Sequence, residues 1–232
     1  MKVFVISDLH LSFASNKPMD IFGWGDHFSE IKKNWLEKVG DEDIVLMPGD
    51  FSWAINMTEV LPDVQAVGEL PGKKVIIKGN HDYWWSSYSK VNNLLNQYNM
   101  FAVQNNSIRI GNILICGTRL WQIPNNQTSE EDIKIFNREV LRLKMTLDDM
   151  QKQRMEGDKV VLMLHYPPFM ADLKNSEVTD IIEKYDIKLV VYGHLHGNKV
   201  RKVSRLDKNG VTYLLTSCDH LNNNLIEITN LI

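Results

Sequence analysis

Cysteine is scarce in this chain of 232 residues, where only Cys116 and Cys218 occur. Two cysteines in a chain this long exclude a disulfide framework. Both sit in or beside apolar runs, so buried free thiols are expected. No uninterrupted apolar stretch reaches ~18 residues, which excludes a helical membrane span. A strand-like run begins at residue 2, so no cleavable leader is expected, and a reducing, cytoplasmic location fits best. Charge of either sign is not in excess: 26 Lys and Arg against 29 Asp and Glu leave −3 at pH 7. Bulk electrostatics therefore argues for neither nucleic acid nor an anionic membrane as partner. Linkers, internal repeats and low-complexity tracts are also missing, so residues 1–232 read as a single domain.

A hydrophobic content of 44% is enough for a sizeable buried core. It is organised as short β-branched runs at residues 3–6, 44–47, 75–77, 160–164 and 189–191, each ending in a polar cluster. Such continuous runs suit strands buried on both faces. Between them, Phe28, Ile31, Trp35 and Val39 recur at helical spacing, as do Val178, Ile181, Ile182 and Tyr185. Strands alternating with helices predict an α/β layered core. Residues 101–117 read as short strands with turns at Asn105-Asn106 and Gly111-Asn112. Residues 199–203, 211–216 and 225–228 read as further strands, with a hairpin turn at residues 207–210. The whole predicts a mixed sandwich with helices outside. A long helix is expected from Ser129, which is followed by Glu130, Glu131 and Asp132, to a point before Gly157. It reads either as a helix docked by one apolar stripe or as a helical cap or insertion at about 122–157 bordering the active site.

The chemistry-bearing residues follow the strand runs. They are Asp8 and His10, Asp50, Asn80 and His81, His165, and His194 with His196. Ligands bind beyond the carboxyl ends of strands in open α/β sheets. Each short motif alone is weak, but five of the seven histidines fall directly after buried-strand patterns. Carboxylate, amide and imidazole brought to one edge suit Mn, Fe, Zn, Co or Ni, and the lack of cysteine ligands argues against a structural zinc site.

The ordered series Asp8-Leu9-His10, Gly49-Asp50, Gly79-Asn80-His81-Asp82, His165 and Gly193-His194-Leu195-His196 resembles the calcineurin-like metallophosphoesterase superfamily. The resemblance implies a four-layer α-β-β-α sandwich of two mixed β-sheets flanked by helices. It also implies two divalent metal ions about 3.5 Å apart, manganese among the candidates. One would be held by Asp8, His10, Asp50 and His196, the other by Asp50, Asn80, His165 and His194, with Asp50 bridging. A hydroxide formed there would attack phosphorus in line with the leaving oxygen. His81 would act at the leaving oxygen, and Asp82, which follows it, either orients His81 and raises its pKa or serves as a turn or helix-cap residue.

Arg119 is a candidate for binding a phosphate oxygen, with a surface salt bridge as its alternative. Trp53, Tyr83, Trp84, Trp85 and Trp121 are candidates for a pocket wall or for core packing. Asp26, His27 and His220 border the cleft or lie in turns. The expected function is metal-dependent hydrolysis of a small-molecule phosphate mono- or diester. A nuclease, a protein phosphatase and a non-catalytic metal-binding scaffold are the rivals.

Overall fold

The computed structural model describes residues 1–232 except 16, 18, 20–22, 171 and 198–202. The elements run β1 (Val3–Val5), α1 (His27–Lys38), β2 (Ile44–Met47), α2 (Leu61–Gly68), β3 (Lys73–Ile76), α3 (Tyr88–Leu95) and β4 (Met100–Ala102). They continue with β5 (Asn106–Ile110), β6 (Ile113–Thr118), α4 (Glu130–Gln153), β7 (Lys159–Leu164), α5 (Glu177–Ile182), β8 (Leu189–Tyr192), β9 (Arg205–Lys208), β10 (Val211–Leu215) and β11 (Ile226–Glu227).

Two mixed sheets result, in the orders β11-β1-β2-β3-β4 and β5-β6-β7-β8-β10-β9. In the first, β1 to β4 are parallel and β11 is antiparallel. In the second, β6, β7, β8 and β10 are parallel, with β5 and β9 as antiparallel edges. Side chains alternate across each strand, and both faces are apolar. Val3, Val5, Leu46 and Val75 meet Ile115, Val161 and Val191 between the sheets. Phe4, Val45 and Ile76 face the opposite way, onto Ile31 and Trp35 of α1 and Val64 of α2. Cys116, Leu162 and Val190 face Phe136, Leu143 and Leu147 of α4 and Ile182 of α5. The four layers explain why the strand runs are continuous rather than alternating.

Helix ends follow their sequence signals. Asp26 caps α1, accepting from the Ser29 amide, and Ser129 caps α4 through Asp132 N. The apolar stripe of α4 lies on β5 and β6. Residues 199–202 of the expected strand lie outside the described residues, and Val203 belongs to no strand. The hairpin is built instead from β9 and β10, so Asp207 and Lys208 pair with Thr212 and Val211. Its turn is only Asn209 and Gly210, both at positive φ (51° and 79°), as a two-residue hairpin turn requires. Both thiols are free and buried, and the Cys218 Sγ–H donates to the Asp8 carbonyl (3.1 Å).

Beyond the strand ends, Ser7 forms a parallel bridge to Ser217. This splice between the two sheets lies at their carboxyl ends and brings the loops after β1, β2, β3, β7 and β8 together.

Candidate metal centre

Those loops carry residues in unusual backbone conformations. Asp8, His10, Asp50 and His194 have φ of 57°, 46°, 52° and 69°. Left-handed backbone is uncommon for residues with a Cβ, and it clusters at functional sites. Close approach is permitted by glycine. A Cβ on Gly79 would collide with the backbone N and carboxylate of Asp50, and one on Gly193 with the carboxylate of Asp8. Gly79 and Gly193 are therefore required because acidic side chains occupy the space beside them.

Ligand-type atoms converge in two groups, Asp8, His10, Asp50 and His196, and Asp50, His165 and His194, each with its atoms within 4.8 Å of one another. Asp50 belongs to both. Its Oδ2 lies 3.6 Å from His10 Nε2 and 3.5 Å from His165 Nε2. The Asn80 side-chain oxygen Oδ1 lies 2.7 Å from His165 Nε2 and 2.9 Å from His194 Nδ1. The remaining atoms are fixed from behind. Asp50 Oδ1 accepts from the His81 amide (2.8 Å), and Asp8 accepts from Ser7 Oγ (2.6 Å) and from the His194 amide (3.0 and 3.1 Å). His165 Nδ1–H donates to the Pro48 carbonyl (3.0 Å), which orients the ring and leaves Nε2 facing oxygen acceptors.

The residues fit divalent cations. Asp8, His10, Asp50 and His165 are fully buried. Within that buried set, both nitrogens of His10 and Oδ2 of Asp50 have no hydrogen-bond partner. Buried polar atoms left unpaired cost about 1–3 kcal/mol each, so an arrangement of several implies an occupant. Lone pairs pointing at one another, from imidazole, amide and carboxylate, are what a cation satisfies.

Without a cation, charge is distributed unusually. Burial pushes Asp8 up to about 7, opposed by His165 and assisted by Asp50. Burial also works against Asp50, but His165, His10 and the His81 amide hold that carboxyl below the ordinary range. His165 is raised to about 9, because Asp50 and Asp8 outweigh its burial. Burial drives His10 and His194 down to about 3. A protonated His165 thus occupies the role of the cation in the ion-free protein. Metal uptake must expel this proton, since a ligand nitrogen is unprotonated. Affinity should therefore strengthen as pH rises toward about 9, weakening about tenfold per unit of pH below it for the His165 proton and more steeply below about 7, where Asp8 also carries a proton to be displaced. Calorimetric titration of Mn²⁺ in buffers of different ionisation enthalpy measures the protons released. An affinity unchanged between about pH 6 and 8 contradicts this linkage.

His81 and Asp82 differ from their expected relation. The Asp82 carboxylate accepts from the amides of Phe51 (3.0 Å), Ser52 (3.1 Å) and Gly79 (2.7 Å) and from Trp84 Nε1 (2.9 Å). It has no contact that orients the His81 ring. Burial lowers the His81 pKa rather than Asp82 raising it. Asp82 clamps the Asp50 loop to the Asn80 loop, and its own pKa is raised by burial to about 6. The His81 ring lies beside Trp53 (4.4 Å between centroids) and His10 (5.5 Å).

Other candidates separate cleanly. Trp53 stacks on His10 at 4.7 Å, and Trp24, which sequence reasoning missed, meets the edges of His10 and His196. Tyr166, also missed, packs its ring against His194 at 4.1 Å, tilted by 34°. Trp84 and Trp85 are core residues, whereas Tyr83 is exposed. Trp121 packs on Tyr166. Asp26 is a helix cap, and His27 Nε2 bonds the Leu9 carbonyl (2.8 Å); both line a recess beside His10. His220 bonds Ser204 Oγ (2.9 Å). Arg119 pairs with Glu139 (3.2 Å) and covers the Trp121 ring (4.7 Å).

A four-layer α/β sandwich with clustered imidazole, carboxylate and amide at one edge defines an α/β protein with a candidate metal centre. Comparison with known proteins makes this specific. Residues 1–198 match the calcineurin-like phosphoesterase family, and the chain belongs to it. An uncharacterized metallophosphoesterase of Helicobacter pylori is 24% identical over 216 residues, covering 92% of this chain. The chain spans about half (49%) of that relative's length. Among solved structures, the Aquifex aeolicus protein of unknown function AQ665 superposes with a TM-score of 0.53 at 18% identity, covering 100% of this chain and 99% of that one. The phosphopantetheinyl hydrolase PptH of Mycobacterium tuberculosis gives 0.57 at 15%, covering 93% and 88%. At these identities the structural likeness concerns the fold. No helix among the described residues is long and apolar enough to cross a membrane.

Proposed function

We propose that this protein hydrolyses a phosphate mono- or diester of a small molecule at a pair of divalent metal ions. The observation that carries the reading is the position of Asp50, whose buried, unpartnered Oδ2 stands between the two ligand groups. One carboxylate shared in this way offsets repulsion between two dications. Asp8, His10 and His196 complete one group, and Asn80, His165 and His194 the other. When bound, the ions supply positive charge for the phosphoryl oxygens and acidify a water that serves as nucleophile.

The chain supplies the rest. His81 stands beside the cluster, its backbone N–H donating a hydrogen bond to Asp50 Oδ1 and its ring packed against Trp53. Burial keeps its ring neutral, so one nitrogen carries a hydrogen to donate to the leaving oxygen. A recess of about 450 Å³ opens beside His194, walled by Tyr166, Pro167, Phe169 and Leu195. A mostly apolar recess suits the organic part of a small ester better than an extended nucleic-acid strand.

The test is metal-dependent release of p-nitrophenol from mono- and bis-p-nitrophenyl phosphate with Mn, Co, Ni or Zn. His81→Ala should bind metal normally and lose about 10²–10⁴-fold in kcat. Near-normal turnover by His81→Ala removes its assigned role. No turnover by the wild type at full metal occupancy favours the non-catalytic scaffold.

A further inference from the structure

We propose that the basic recess between the Asn80-His81 loop and helix α4 is an anion subsite that holds a second phosphoryl group of the substrate. The inference rests on the phosphoesterase reading above and narrows it to esters that carry a further phosphate on the part of the molecule away from the reacting one.

The recess measures about 240 Å³ and receives cations from three separate elements. Lys78 follows β3, Arg119 follows β6, and Arg138 and Arg142 stand one turn apart on α4. Glu139 is its one acidic wall residue. Glu139 is almost fully buried and accepts from Arg142 Nη1 (2.6 Å) and Arg119 Nη2 (3.2 Å), which sets the two guanidinium groups side by side. Lys78 and Arg138 have no ion pair among the described residues. Lys78, Arg119 and Arg142 are half-buried and Arg138 is exposed at the rim, so four cations gathered around a single carboxylate repel one another. An anion with several acceptor oxygens relieves that repulsion, and planar guanidinium groups match a phosphoryl group in particular.

Position ties this recess to the candidate metal centre. The Arg119 carbonyl accepts from the amides of His165 (3.2 Å) and Tyr166 (3.1 Å), so the wall of the recess is one hydrogen bond from a candidate ligand. Lys78 precedes Asn80 by two residues, a backbone reach of about 7 Å at most. Trp85 and Ser86, a few residues after His81, line the same recess. A molecule with one phosphoryl group at the metal cluster can therefore place a second one here across a short spacer.

The experiment has a binding arm and a kinetic arm, both on the full chain. In the first, inorganic pyrophosphate is titrated calorimetrically into EDTA-treated protein. Binding should weaken with added salt, and Arg138→Gln/Arg142→Gln should weaken it about tenfold or more. Arg138→Lys/Arg142→Lys should restore most of it. In the second, kcat/KM is compared for adenosine 3′,5′-bisphosphate against adenosine 5′-monophosphate, and for fructose 1,6-bisphosphate against fructose 6-phosphate. The wild type should prefer at least one bisphosphate by about tenfold or more, and the glutamine variant should lose that preference mainly through KM. Pyrophosphate binding that the glutamine variant leaves unchanged overturns the subsite. Binding lost in the variant without any bisphosphate preference in the wild type overturns the assignment to the substrate and identifies a free-phosphate site. If no ester is turned over while the variant still loses pyrophosphate binding, the phosphoesterase reading fails and the anion site stands.

Discussion

Asp50→Asn should abolish binding at both proposed metal positions and lower the proposed phosphoesterase turnover by at least about 10³-fold. The substitution keeps the shape of the side chain and an oxygen to accept the His81 amide, which Asp50 Oδ1 does at 2.8 Å. What it removes is the negative charge between His10 and His165, whose Nε2 atoms lie 3.6 and 3.5 Å from Oδ2. Two dications facing each other need that charge more than either alone, so both positions should empty together. Changing His194, which belongs to one group only, should instead spare the other position. Metal content after desalting, measured by mass spectrometry, separates the two outcomes. Stability supplies a readout independent of turnover. A ligand that binds only the folded state raises Tm, so Mn²⁺ should raise the Tm of the wild type and leave that of Asp50→Asn unmoved. An Asp50→Asn protein that keeps full metal content, or turnover within tenfold of wild type, removes Asp50 from the bridging position.

The residues that made this centre legible share one property: they sit directly after strands buried on both faces. A β-branched run of four or five residues can be read without partners, because the four-layer arrangement leaves no polar face to interrupt it. The residue at its end then declares itself. Helices α2 and α3 were harder to foresee, since each has only eight residues and α2 carries Pro62 and ends on Gly68. Contacts between distant segments were harder still. Tyr166 follows a candidate ligand, yet nothing in its own segment says that its ring packs against His194, 28 positions away. Arg119 could be named as a phosphate binder, but its neighbours Arg138 and Arg142 lie on a helix whose register against β6 is a tertiary fact. Ser7 donates to Asp8 from the splice between the sheets and is backed by Thr216, whose Oγ1 lies 3.1 Å from Ser7 Oγ. Side chains that hold ligands from behind are spread along the chain and have no motif.

Asp82 is the sharpest instance, and its replacement by alanine should cost the fold far more than a surface carboxylate would. As the residue after His81 it invites a reading as the partner of that imidazole. Its carboxylate instead gathers three backbone amides and one indole N–H, from Phe51, Ser52, Gly79 and Trp84, in a fully buried position. Alanine would leave those four donors without acceptors. At about 1–3 kcal/mol for each unsatisfied buried donor, and with partial relief from relaxation or an entering water, a loss of about 3–5 kcal/mol is expected. For a chain of this size that lowers Tm by on the order of 10 °C. Asp82→Asn should fall between, because one oxygen still accepts while the amide NH₂ turns toward the Gly79 N–H as donor against donor. The loops joined by the clamp carry Asp50 and Asn80, so metal affinity should weaken along with stability. Thermal and urea unfolding of the metal-free variants test this directly, since no catalytic role enters the measurement. If Asp82→Ala unfolds within 2 °C of wild type and loses only turnover, Asp82 acts through His81 after all. A large fall in both Tm and metal affinity, with His81→Ala showing neither, identifies it as the tie that holds the loops of two adjacent strands in register around the cluster.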